Sequence, residues 1–413
     1  MEYFTGWEYL LIDVSNHYGN DKLLFNERIE WVNTNLDILE SLSDKADKKP
    51  LYIKAVSALR KAQKGIPTGH LVEWDAVCSG TQIMSALTGC IEGSINTGLI
   101  DPNTRADAYS TLTKTMNEIL GGGFSVSRAD AKSAYMKSMY GSKKVPKEIF
   151  GEDTEELNAF YQAVNIVSPG AWTLLQELLA AWQPYALSHE WKLPDGFDAK
   201  VKVMQKKEIR IEVDELDHAS FGYTYYENEG EKAGLSLVAN AIHSVDAFLL
   251  REMHRRCNYD AGVLAVAGSA IASELELREL GYTEQVDGAE GKLKYYIEQY
   301  DRSAMASVVI LSWIKDGHST QHLSTEHLKQ LGAIVKGMEA YSSFEMVTIH
   351  DAYKCHANNA NHVRYQYKEI LAELAESELL SDLLSQLHGS KGTYTKLSSD
   401  LGEKIRNSNY SLS

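Results

Sequence analysis

The sequence predicts an α/β fold of the α+β, helix-rich kind, with a small antiparallel sheet carrying two carboxylates among many helices. Three observations predict it. The stretch Leu71-Val72-Glu73-Trp74-Asp75-Ala76-Val77-Cys78-Ser79-Gly80-Thr81-Gln82 reads as a strand ending on Asp75, a Ser-Gly turn, and a helix beginning near Thr81. Phe344 to Ile349 is an apolar, β-prone run, and His350-Asp351 stands where it ends, as at a hairpin tip. Helical patterns fill most of the remaining chain.

In order, residues 7–12 form an apolar run, and Asn16-His17-Tyr18-Gly19-Asn20-Asp21-Lys22 reads as a polar loop. Phe25 or Asn26 opens a helix through about Leu42, and residues 51–65 form a basic helix. Gly69-His70 leads into the Asp75 strand. A further helix starts at Gly98-Leu99-Ile100-Asp101-Pro102-Asn103, runs through Leu120 and carries Tyr109. Gly121-Gly122-Gly123 is a hinge, lacking the context of a phosphate loop. In Arg128-x3-Lys132-x7-Tyr140-Gly141 the two cations lie one helical turn apart on a shared face. Tyr140 lies two turns beyond Lys132, about 80° round the helix, and Gly141 is a natural C-cap. Residues 154–190 give amphipathic helices with Trp172 and Trp182 as core. The segment Trp191–Phe197 is a turn before a Val201–Val213 strand. A long helix is expected from Lys292 to Trp313, and acidic helices with solvated faces (Glu369, Glu373, Glu376, Glu378, Asp382) follow Tyr353.

A strand holds Asp75 rigidly and the turn after it leaves space above the carboxylate, which suits a metal ligand; the bland alternative is a helix cap or turn former. Asp75 and Asp351, at two strand ends, could share one Mg²⁺ pair. With a triphosphate between them and the Arg128/Lys132 helix, they would make a nucleotidyl-transfer site. On the residues alone, Lys22 reads as a solvated loop lysine, Tyr109 as a half-buried helix tyrosine and His350 as a hydrogen-bonded structural histidine.

The 413 residues are 44% hydrophobic and 24% charged, which fits a globular chain with a substantial core. A net charge of −16 argues mildly against a free-standing nucleic-acid binder. Basic residues are concentrated locally: six against two acidic in 128–148, and seven against one in 45–64. Four cysteines without a CxxC pair suggest neither zinc nor a disulfide framework. The longest apolar run, Ala304 to Ile314, is too short to span a bilayer, and Met1-Glu2-Tyr3-Phe4 shows no secretory signal. An intracellular, cytoplasmic protein with no membrane partner is expected.

The three stretches together resemble motifs A, B and C of the single-subunit DNA-directed RNA polymerases of phages and mitochondria. Asp75-x3-Ser79-Gly80-x-Gln82 is similar to motif A, Arg128-x3-Lys132-x7-Tyr140-Gly141 to motif B, and His350-Asp351-Ala352-Tyr353 to motif C. The resemblance implies the palm and fingers of a right-hand polymerase: palm in 1–120, fingers in 121–190, a specificity-loop-like hairpin in 191–240, and a second palm part in 241–413. That last part includes an extended insertion of about 257–324, without a functional reading, and a C-terminal foot at Ser408–Ser413. The hairpin would run from about Val201 to Lys232. Its first arm is basic, but residues 212–231 carry seven acidic side chains and no Lys or Arg, which disfavours duplex reading.

By the same resemblance Asp75, the Ala76 carbonyl and Asp351 hold two Mg²⁺, and Lys132 gives a proton to the leaving pyrophosphate. Arg128 stabilises phosphate charge, Lys22 approaches the incoming nucleotide, and Tyr109 lies near the ribose. Tyr140 with Gly141 adjoins the base pair or the 2′-hydroxyl, and His350 lies beside the RNA 3′ end. Asn240–Asp246 resembles a further signature, leading to a helix under the sheet; a sugar-checking His of many relatives is Leu249 here. Substrates would be rNTPs, with a DNA template and an RNA product. The alternatives are a DNA polymerase of the same superfamily, disfavoured by Ala352 and the Ser79-Gly80-x-Gln82 signature, and a non-catalytic scaffold descended from a polymerase. Because the pattern covers palm and fingers alone, it resembles the large subunit of the two-subunit RNA polymerases of N-four-type podoviruses. There, a smaller second subunit would supply the N-terminal domain and thumb, with a possible accessory DNA-binding factor at promoters.

Overall fold

The described strands are short, three to nine residues each, and helices carry most of the core. The computed structural model describes residues 1–121, 125–227 and 234–413. Among them the strands are β1 Val72–Asp75, β2 Ser188–Lys192, β3 Asp198–Lys202, β4 Gln205–Val213, β5 Ala219–Glu227, β6 Val347–Ile349 and β7 Ala352–Cys355. The central sheet is antiparallel in the order β1-β7-β6, while β2-β3 and β4-β5 are separate antiparallel hairpins. The fold is therefore helix-rich α/β with small antiparallel sheets, as the sequence predicts.

The central sheet is two-faced. Trp74 and Tyr353, register partners, are both buried on the helix side, where Trp74 meets the Tyr9 ring edge-on at 5.1 Å and Tyr353 meets Tyr367 at 5.5 Å. Alternation then turns Glu73 and Asp75 to the opposite face. The helix Gly6–Ser15 starts on a Thr5/Glu8 capping box and buries nearly its whole second half under the sheet. Its Asp13 is buried, yet hydrogen bonds from His17 and His70 outweigh that burial and hold its carboxyl down at about 2.

The chain end closes the same region. Buried Arg364 donates to the Glu2 carbonyl, the Tyr9 hydroxyl and Asn409, and lies 4.6 Å from the Phe25 ring centre. Lys368 binds the Arg406 and Ser408 carbonyls. These cations bring residues 409–413 back to β1, where Leu412 bridges to Ala76 and the Ser413 N–H donates to the Asp75 carbonyl at 3.1 Å.

Helices Ala261–Glu279, Gly291–Ser303 and Thr325–Glu339 enclose a second core of Leu264, Ile271, Tyr300, Leu328, Leu331 and their neighbours. It meets the main body at Glu252, which accepts from the Ser307 hydroxyl and is paired with buried Arg256, itself bound to Glu373 at 2.6 Å. These three helices form a small helical unit of their own. No helix among the described residues is long and apolar enough to cross a membrane.

Several expected elements are corrected. The loop at 16–20 is a π-helix that extends the first helix and kinks at Gly19. The helix from Phe25 ends at Thr34 because the Asn35 amide folds back onto the Trp31 carbonyl, and a 3₁₀ segment Leu36–Lys45 follows. The helix expected from Gly98 begins at Ala108, since Asp101 caps its own turn and Asp107 supplies the N-cap. The Lys292–Trp313 helix breaks where Ala304 turns left-handed, at φ 48°. Trp191–Phe197 closes the β2–β3 hairpin, and the strand expected over 201–213 divides between β3 and β4. The acidic faces after Tyr353 are not simply solvated: Glu369 and Glu376 pair with Arg406, Glu373 with Arg256, and Asp382 with Arg302. Gly122 and Gly123 of the expected hinge, and 228–232 of the expected hairpin, lie outside the described residues.

Candidate active site

β1 ends on Asp75, and the chain then turns sharply through Cys78, left-handed at φ 59°, into the helix Ser79–Thr88. Beside it, β6 and β7 are joined by the two-residue turn His350-Asp351, with His350 at φ 54°. Register pairs Asp75 with Ala352, and the Ala76 N–H donates to the Asp351 carbonyl at 3.3 Å. The two carboxylates therefore end neighbouring strands on one side of the sheet. They open into a cavity of about 740 Å³ that also admits Asp246, from the helix Leu235–Cys257 beneath.

The charges there crowd one another. Burial on its protein side, then the negative charges of Asp351 and Glu73, push the Asp75 carboxyl up to about 6. Asp246 is likewise raised to about 6, by burial and then by Asp351. Among the described residues the Ala76 carbonyl accepts no hydrogen bond. The oxygens of Asp75, Asp246 and Asp351 do not all fall within 4.8 Å of one another; the group that does, Glu212, Asp214 and His218, belongs to the exposed β4–β5 tip. There His218 is ion-paired to both carboxylates.

Cations line the same cavity. The helix Arg128–Ser138 is N-capped by Ser127, which puts Arg128 and Lys132 on successive turns. Arg128 pairs with Asp107 at 2.7 Å, and its guanidinium and the Lys132 ammonium lie 5.6 and 5.1 Å from the Tyr109 ring centre. Against burial, which would raise it, hydrogen bonds from Ser110 and then Arg128 hold the Asp107 carboxyl below the usual range. Lys22 pairs with Asp21 at 2.9 Å. Tyr140 is packed across Gly80, so closely that a Cβ there would lie 2.4 Å from its hydroxyl, and its ring is 4.9 Å from His243. Burial, then the neighbouring Cys78, raises its phenol to about 12. It stays a neutral donor.

The cavity thus collects Lys22, Asp75, Ala76, Tyr109, Arg128, Lys132, Tyr140, His350 and Asp351. Two details are corrected. The cationic helix ends at Ser138, so Tyr140 lies in the turn that follows rather than on the helix. Gly141 does not line the cavity: it is buried, at φ 89°, where an added Cβ would strike Leu235 at 2.8 Å, and its role is to turn the backbone. Sequence reasoning missed Asp246 and Arg105 as lining residues. The Asn240–Asp246 signature contained the first; nothing local marked the second.

The cavity-forming elements can be compared with known proteins. Residues 4–150 match the family model of the DNA-dependent RNA polymerases, a span holding Asp75 and the Arg128/Lys132 helix but neither Asp246 nor Asp351. The chain is 30% identical over 132 residues to a DNA-directed RNA polymerase of Pseudomonas phage phiKMV, covering 28% of this chain and 16% of that protein. The first third of this chain is therefore similar to a DNA-dependent RNA polymerase, and it contributes Asp75 and both helix cations of the cavity.

Proposed function

We propose that this chain is the catalytic part of a phage DNA-dependent RNA polymerase, adding rNTPs to an RNA 3′ end on a DNA template. One observation carries the reading: Asp75 and Asp351 stand at the ends of neighbouring strands in a single cavity that Arg128 and Lys132 also line. Residues 1–120 and 241–413 serve as palm and 121–190 as fingers. The donor set suits Mg²⁺, with hard oxygens from Asp75, Asp351 and the unengaged Ala76 carbonyl, and Asp246 as a third carboxylate nearby. The crowding that raises Asp75 and Asp246 to about 6 is what a divalent cation would relieve. Two Mg²⁺, when bound, promote ionisation of the 3′-hydroxyl and neutralise the departing pyrophosphate.

In the reaction the 3′-oxygen bonds to the α-phosphorus and the bond to pyrophosphate breaks. Lys132 supplies the leaving group with a proton, and Arg128 balances the phosphate charge. Tyr140, a neutral donor, lies where a ribose hydroxyl would distinguish rNTP from dNTP. Lys22, Tyr109 and His350 border nucleotide, ribose and 3′ end.

We assign the N-terminal domain and thumb to a smaller second subunit, with an accessory DNA-binding factor possible at promoters; the net charge of −16 favours a basic companion. The test is ribonucleotide addition to a primed DNA template with Mg²⁺, by the chain alone and with the companion added. Addition that becomes processive only in the mixture is expected. No addition in either case would leave the scaffold reading, and processive synthesis by the lone chain would remove the companion.

A further inference from the structure

We propose that Arg105 is a phosphate-contacting residue of this cavity, offering its guanidinium to a nucleotide or strand phosphate. The inference rests on reading the cavity as a nucleotidyl-transfer site.

The backbone explains how Arg105 arrives there. Asp101 accepts from the Asn103 N–H at 2.8 Å and from the Thr104 hydroxyl, while Asp107 caps the helix Ala108–Leu120. Between these two caps the chain is non-helical, and Arg105 lines the cavity instead of a helix flank.

Two arginines neighbour each other here, and their bonding differs. Arg28 is buried with every nitrogen engaged: Nε to the Leu23 carbonyl at 2.9 Å, Nη1 to Asn16 at 2.8 Å and Nη2 to the Asp21 carbonyl at 2.8 Å. It is structural. Arg105 has one bond, from Nη1 to the Ala106 carbonyl at 2.6 Å, and its buried Nε has no partner. Asp21, Asp107 and Asp75 are near enough to act on its charge, yet no carboxylate among the described residues pairs with it; Asp21 and Asp107 are held by Lys22 and Arg128. Burial, opposed by those three acids, lowers its pKa. A buried guanidinium lacking a hydrogen-bonded anion calls for one from a ligand. A guanidinium offers N–H groups in a planar fork spaced for a phosphate's oxygens. With Lys22, Lys48 and Lys132 also on the cavity wall, a polyanion fits better than an isolated carboxylate.

Two phosphate sources are chemically equivalent, the nucleoside triphosphate and the nucleic-acid backbone, and two arms separate them. Binding of ATP with Mg²⁺ and of a primed DNA template is measured by calorimetry and fluorescence anisotropy on the wild-type chain, Arg105→Gln and Arg105→Lys. Nucleotide KM and kcat are measured alongside. A triphosphate contact predicts about tenfold weaker ATP binding and higher KM in Arg105→Gln, with template affinity kept; a strand contact predicts the reverse. Arg105→Lys should recover part of the loss, keeping charge without the fork. Unchanged affinity for both probes in Arg105→Gln would overturn the proposal, as would full recovery by Lys together with a lowered thermal midpoint in Gln. If the wild-type chain binds neither probe, the polymerase reading falls as well; if it binds both and Arg105→Gln matches it, this inference alone falls.

Discussion

Replacing Asp75 with Asn should stabilise the metal-free chain while abolishing nucleotide addition. The carboxyl is raised from 3.8 to about 6, first by burial and then by Asp351 and Glu73. A folded-state pKa above the unfolded one means the native state holds the proton more tightly. The penalty for ionising Asp75 is therefore absent below pH 4, grows between about 4 and 6, and is complete above. Two units correspond to about 3 kcal/mol. Asp75 faces an open cavity, so solvent screening reduces this to about 1 kcal/mol. At about 2.1 cal/mol/K per residue, that shifts the midpoint of a 413-residue chain by about 1 °C, and Asp246→Asn should add a similar increment. The assay is thermal unfolding in chelator at pH 7.5 and pH 4.5, then with Mg²⁺. Asp75→Asn should melt above the wild type at pH 7.5, lose most of that lead at pH 4.5, and gain less from Mg²⁺. An equal or lower midpoint at pH 7.5, or a lead unchanged at pH 4.5, would refute the account of crowded carboxylates.

Tyr140→Phe should reduce the preference for rNTP over dNTP several-fold, the effect of one hydrogen bond of about 1 kcal/mol, with smaller change in ribonucleotide rate. Gly80→Ala should reproduce that shift by displacing the hydroxyl that an added Cβ would meet at 2.4 Å; matched extension assays compare the two. In the second core, burial lowers His327 to about 3 as it stacks on Tyr300 at 3.7 Å, so its stability is full above pH 6.5 and is lost as pH falls toward 3. At pH 5 the loss is about 2 kcal/mol, and hydrogen exchange in Thr325–Glu339 should accelerate accordingly, an effect absent in His327→Phe. Arg256→Ala leaves Glu252 and Glu373 without their buried cation and should cost about 3–5 kcal/mol in urea unfolding.

The sequence showed the central sheet and its carboxylates because local patterns specify them: a strand ending on Asp75 and a run ending on His350-Asp351. It also showed the cationic helix, whose spacing is local. What it hid was decided by tertiary contacts. Asn35 ends one helix by folding onto Trp31, and Asp101 and Asp107 delay another, which moves Arg105 into the cavity. Glu373 reads as one more acid on a solvated face until Arg256, distant in sequence, meets it at 2.6 Å. Asp246 was visible inside a signature, but its crowding with Asp351 depends on how its helix passes beneath the sheet. Gly141 was legible as a turning residue, and it does turn the backbone, at φ 89°, packed against Leu235.

The central claim is that Asp75 and Asp351 serve one phosphoryl-transfer centre. The most direct measurement is the rate of single-ribonucleotide addition to a primed DNA template in Mg²⁺, with the companion subunit present, for wild type, Asp75→Asn and Asp351→Asn. Each variant should fold, bind template as the wild type does, and lose at least about a thousandfold in rate, about 4 kcal/mol of transition-state stabilisation. Synthesis within about tenfold of wild type by either variant would contradict the claim.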